Sequence, residues 1–129
     1  MTAAWWETWG NPAPGAASFW VASHVYVALA SRFGQHESGN LALRALDAGD
    51  LETAELYEAK RIRARHRVDT ALRTIGWTCD AIEGEAALFA NRLGVDHDAP
   101  TARAWLIANR EEHRAAGQAI ADAWEARTA

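Results

Sequence analysis

Two pairs of carboxylates stand at three-residue spacing, Glu52-x-x-Glu55 and Asp80-x-x-Glu83. Positions three apart on a helix are neighbours, so each pair offers two oxygen donors on one face. Four such acids from two antiparallel helices suit Mg²⁺, which takes oxygen ligands and often bridges substrate phosphates. Lys60, Arg61 and Arg65 lie in a basic run that ends at Arg73, and they are the groups that would meet those phosphates. A second origin for the same pattern is a solvated helix face whose acids gather at the positive end of the helix dipole and whose bases gather later. That second origin is the leading expectation.

Other chemistries find fewer residues. The five histidines are His24, His36, His66, His97 and His113, and none has an acid three positions before it, as a di-iron bundle requires. One cysteine and no His-x3-His leave a zinc site without a ligand set. His24 and His113 are expected as hydrogen-bonded core histidines, and His36 and His97 in loops. Cys79 falls on an apolar seam and is expected as a buried, inert thiol. The chain has no Gly-x-Ser-x-Gly elbow, no P-loop and no dinucleotide glycine pattern.

Three stretches, Glu52-Thr53-Ala54-Glu55-Leu56, Asp80-Ala81-Ile82-Glu83 and Asn91-Arg92-Leu93-Gly94-Val95-Asp96, carry a resemblance. Together they resemble the all-α nucleoside triphosphate pyrophosphohydrolases, the MazG-like and dimeric dUTPase group. That group has Glu-x-x-Glu on one helix, Glu-x-x-Asp on the next, and often a Leu-Gly-Ile/Val-Asp helix end. Here the second pair is inverted, with aspartate first. The resemblance implies Mg²⁺ held by Glu52, Glu55, Asp80 and Glu83, and a metal-bound water attacking a nucleotide.

These groups must be positioned by helices. The 129 residues include 30 alanines and only three prolines, a bias toward helix, and half the chain is apolar. Residues 1–15 read as an arm bearing Trp5, Trp6 and Trp9, broken by Asn11-Pro12-Ala13-Pro14-Gly15. A first helix is expected from about Ser18 to Phe33, with Ser18 as N-cap and Gly34 just past its end. Its apolar residues wrap nearly all round, which places it in the middle of an assembly of helices. A short helix follows from Asn40 to Ala48, ended by Gly49. Asp50 caps the next.

From Val68 the apolar spacing alternates four and three through Leu72, Ile75, Cys79, Ile82, Ala86, Phe89 and Leu93. Because this stripe crosses Gly76 in phase, residues 50–93 read equally as one helix or two. Asp98-Ala99-Pro100-Thr101 starts the last helix, expected to reach about Arg127. Its inward stripe is Ala102, Leu106, Asn109, His113, Ala116, Ile120 and Ala123. The fold class is therefore all-α: a bundle of about four main helices over 16–129, with an N-terminal tryptophan-rich arm.

The formal net charge of −4 argues against nucleic-acid binding driven by overall charge. A single cysteine fits a reducing cytoplasm, and the apolar stretch from Ala16 to Ala30 is shorter than a membrane span needs. The leading functional expectation is a small protein-interaction module, adaptor or inhibitor, without a cofactor. Trp5, Trp6 and Trp9 are its partner-binding residues, and the partner is another protein or a second copy of the chain, most simply in a dimer. The Mg²⁺-dependent pyrophosphohydrolase is one alternative. A nucleic-acid-binding accessory protein using residues 60–73 is another.

Overall fold

The computed structural model of the chain describes residues 16–96 and 98–113, together with positions 115, 119, 122 and 126. The described residues form helices and connecting turns, with α1 at Ala16–Asp47, α2 at Leu51–Ile75, α3 at Cys79–Leu93 and α4 at Ala99–Ala108. The arm at 1–15, with Trp5, Trp6 and Trp9, lies outside the described residues, as does His97. No described helix is long and apolar enough to cross a membrane.

The expected break at Gly34 and the separate helix at 40–48 merge into one 32-residue helix, α1. A glycine inside a helix costs about 1 kcal/mol relative to alanine, too little to stop a helix whose flanks are packed. Ala28, Leu29 and Phe33 are buried before Gly34, and Ala42 and Ala45 are buried after it. His36, expected in a loop, is therefore helical and exposed.

The turn at 48–50 reverses the chain. The Asp50 amide donates to the Ala45 carbonyl at 2.9 Å, and Gly49 sits at φ 76°, where a side chain would be strained. The Asp50 carboxylate then accepts the Thr53 amide at 3.1 Å and starts α2. Thr53, through its side chain first and its amide second, holds the Asp50 carboxyl below the usual aspartate range.

Residues 50–93 are two helices. Gly76 adopts φ 72°, and the Trp77 amide closes the end of α2 on the Leu72 carbonyl at 3.0 Å. Thr78 caps α3 by accepting the Ala81 amide at 3.2 Å. The stripe stays in phase across this turn because both helices feed one core. Val68, Leu72, Ile82, Ala86 and Phe89 are buried, while Cys79, at the first turn of α3, is exposed. The expected buried thiol is thus corrected: the helix begins at that position instead of passing through it.

Asp98 caps α4 as its sequence predicts, accepting the Thr101 amide at 3.3 Å, with Pro100 in the first turn. The last helix is not continuous. Asn109 interrupts it as a turn, its side-chain amide donating to the Trp105 carbonyl at 2.8 Å, and helix resumes at Arg110. The stripe members Ala116, Ile120 and Ala123 lie outside the described residues.

α1 is the central element, and α2, α3 and α4 all pack on it. Val25, Ala28, Leu29 and Phe33 lose all solvent contact among Val68, Ala71 and Leu72 of α2, Ile82, Ala86 and Phe89 of α3, and Ala99, Ala102 and Leu106 of α4. Phe89 meets the Trp105 ring edge-on at 5.3 Å, and the Tyr26 hydroxyl donates to the Leu106 carbonyl at 2.6 Å. The core occupies the first half of α1 and the second half of α2. Further along, the two helices continue as a hairpin joined by small residues: Ala42 and Ala45 on α1, and Ala54 on α2.

Candidate functional site

The two acid pairs sit at opposite ends of α2. Glu52 and Glu55 occupy its first two turns, whereas Asp80 and Glu83 begin α3, which starts where α2 stops. At 1.5 Å per residue that separates the pairs by about 30 Å. Glu52 and Glu55 lie at the N-terminal end of α2 and Asp80 and Glu83 just past its C-terminal end, so the length of α2 keeps the pairs from meeting. No group of three or more His, Cys, Asp or Glu among the described residues stands close enough to share a metal ion. Glu83 instead forks around Arg32 of α1.

The basic run divides between two faces. Arg61 is held by Glu58 of its own helix, Nε to Oε2 at 2.9 Å, and this pairing keeps the Glu58 carboxyl below its usual range. Arg65 is exposed. Lys60 turns the other way, into a cleft of about 500 Å³ between α1, α2 and α4. There it meets residues that sequence reasoning did not single out: Arg63 and Arg67 from α2, and Arg103 from α4. Ser31, Glu37 and Ser38 of α1 and Tyr57 of α2 complete the polar wall. Arg103 Nη1 lies 3.5 Å from Glu37 Oε2, and Lys60 Nζ lies 5.2 Å from the centre of the Tyr57 ring. The spacing of Lys60, Arg63 and Arg67 puts them on one helix face, and that much was readable. Arg103 reaches them only through the packing of α4.

A second surface appears once α1 is seen as continuous. Val25, Leu29, Arg32, His36, Gly39, Leu43 and Leu46 follow one another at alternating steps of four and three, which keeps them on one side of the helix. The first three are buried, and Arg32 is bonded to α3. α3 has 15 residues and α1 has 32, so α3 cannot cover the whole stripe. Beyond it, Leu43 and Leu46 are 61% and 51% exposed. They line a shallow groove with His36, Gly39 and Ala42, bounded on α2 by the Glu58–Arg61 pair. The exposed Leu51 and Ile62 add apolar surface to α2.

His113 is buried and stacks on Tyr26, ring centres 4.7 Å apart and planes 16° from parallel. Burial pushes its pKa below the usual histidine value, and burial likewise pushes the Tyr26 hydroxyl up. His24 is half-buried in α1 and lines a groove with His66 of α2. No protein-family model, curated protein or solved structure matches this chain.

Proposed function

We infer that this chain is a helical interaction module that assembles through the open half of the α1 stripe, with a second copy of itself as the partner. The observation that carries the reading is the division of that stripe. Its first half is sealed in the core, and its second half presents Leu43 and Leu46 to water at the same heptad spacing. Apolar residues at alternating four and three steps are what one helix offers another. A twofold axis would lay the stripe of one copy against that of the other, an isologous contact that closes on itself. Two hairpins joined this way complete a four-helix arrangement with the leucines between the copies.

The pair Glu58 and Arg61 supports specificity in this reading. The pair flanks the leucines in the groove and is already neutralised within α2, so it forms a polar rim without an unpaired charge. Trp5, Trp6 and Trp9 serve in this proposal as further anchors, since tryptophan contributes strongly at buried interfaces. A reducing cytoplasm is the compartment proposed, in keeping with the single cysteine.

Sedimentation equilibrium on the full chain tests the reading. The expected result is a dimer at micromolar concentration, and a monomer for Leu43→Asp/Leu46→Asp with unchanged helical circular dichroism. Both leucines are already exposed, so a charge there does not enter the core. A wild-type chain that sediments as a monomer throughout, or a double variant that remains dimeric, overturns the assignment. Alanine at Trp5, Trp6 and Trp9 is expected to weaken association further.

A further inference from the structure

We propose that the cleft between α1, α2 and α4 is a binding site for a compact polyphosphate anion, held by Lys60, Arg63, Arg67 and Arg103. The cleft lies on the other side of the α1–α2 pair and shares no lining residue with the leucine groove. The chain as a whole is acidic, with 17 acids against 13 Lys and Arg, yet this cleft gathers four cations and one carboxylate.

That local excess has a cost. Like charges three or four apart on a helix destabilise it by about 0.2–0.5 kcal/mol per pair. Lys60–Arg63 and Arg63–Arg67 are two such pairs, and neither residue of either pair enters an ion pair among the described residues. One face round the same helix, Arg61 is neutralised by Glu58 at that spacing, so α2 has the means to pair its bases and does not use it in the cleft. Bases gathered in a cleft without acids of their own are what an anionic ligand would neutralise.

Geometry sets the ligand class. Lys60 to Arg67 spans about 10 Å along the axis of α2. Such a row engages several linked phosphates better than one. Arginine forks bond phosphate oxygens in pairs, and lysine adds a point charge. Arg103 faces the row from α4 and closes the cleft from the far side, and the hydroxyl of the nearly buried Ser31 supplies a neutral donor. A volume of about 500 Å³ lies within the range of small-molecule sites. The cations gather from two helices on one cleft instead of running along a track, which favours a compact ligand over a nucleic-acid strand. Glu37 is the cleft's own counter-charge: it lies 3.5 Å from Arg103 and competes with an incoming anion.

Titration calorimetry with inorganic triphosphate at fixed ionic strength provides the test. The wild-type chain is expected to bind inorganic triphosphate more tightly than orthophosphate. Arg63→Gln/Arg67→Gln should weaken that binding by roughly tenfold or more, since it removes two charge-assisted contacts. Arg65→Gln, two residues from both Arg63 and Arg67 and so on the opposite side of α2, should leave it unchanged. Glu37→Gln should tighten it, a gain that no loss of folding can mimic. No binding by the wild-type chain, an equal loss in Arg65→Gln, a loss in Glu37→Gln, or stronger binding of a single-stranded oligonucleotide than of inorganic triphosphate each overturns the site. Because the leucine groove is separate, a monomeric chain that still binds triphosphate would overturn the assembly reading alone.

Discussion

Arg32 and Glu83 tie the central helix to α3 by a forked ion pair, with Arg32 Nε 3.1 Å from Glu83 Oε1 and Nη2 2.5 Å from Oε2. The two sides are unequal: the Arg32 side chain is 9% exposed and that of Glu83 is 51% exposed. The guanidinium is therefore the group that depends on its partner. Removing one member of a fully buried pair costs about 3–5 kcal/mol, and the half-open carboxylate reduces this to about 1–3 kcal/mol here. Glu83→Gln is expected to lower the stability read from urea unfolding by that amount. Arg32→Met/Glu83→Met should recover most of the loss, because it leaves no stranded charge. A double variant as unstable as the single one would show that packing, not charge, dominates at this contact.

Glycines divide by backbone angle. Gly84 lies inside α3 with open space where a Cβ would stand, so Gly84→Ala is expected to raise stability by about 0.5–1 kcal/mol. Gly76 ends α2 at φ 72°, also with open space, and there alanine meets left-handed strain in place of a clash. Gly76→Ala should lower stability by about 1–2 kcal/mol. Thermal melts of the two variants should shift in opposite directions.

The same contrast explains what was legible in the sequence. Asp50 and Asp98 act locally, through a side chain that reaches an amide three residues on, so these two helix starts are legible in the sequence; Thr78 caps α3 in the same way but was not singled out, and α1 begins at Ala16, ahead of the expected Ser18. Gly34 is different, because its effect depends on what crosses it. The Arg103 side chain of α4 lies over it, with Nε 3.3 Å from where a Cβ would stand, and the helix runs on beneath. Placing a break there divided the stripe that ends in Leu43 and Leu46, and so concealed the groove. The cation cleft was hidden for a similar reason, since Arg103 is 36 residues beyond Arg67 in sequence and only the docking of α4 brings them together. The acid pairs failed in the opposite sense, as good local spacing that no tertiary contact joins.

Cys79 gives a direct probe of the boundary between α2 and α3. A single helix through Gly76 would bury the thiol on the stripe; two helices leave it exposed in the first turn of α3. A thiol reagent such as dithionitrobenzoate is expected to modify one equivalent in the folded chain without denaturant. Protection until urea is added would mean that the seam runs unbroken.

His113 predicts how stability responds to acid. Burial against Tyr26 pushes the folded pKa of its ring below the ordinary 6.5, so the ring is neutral in the fold. Above about pH 6.5 neither the folded nor the unfolded chain protonates it, and it has no effect on stability. As the pH falls through that value, the unfolded chain takes up a proton that the folded chain refuses. Stability should then drop with a limiting slope of about 1.4 kcal/mol per pH unit, until the folded ring itself protonates. Other groups also titrate in acid, so the reading is a difference between two proteins. His113→Phe keeps a flat ring against Tyr26 and removes the proton site. Urea midpoints measured from pH 7.5 down to 5.5 should fall more steeply in the wild-type chain than in His113→Phe, and parallel curves would show that His113 accepts its proton in the folded state as readily as in the unfolded one.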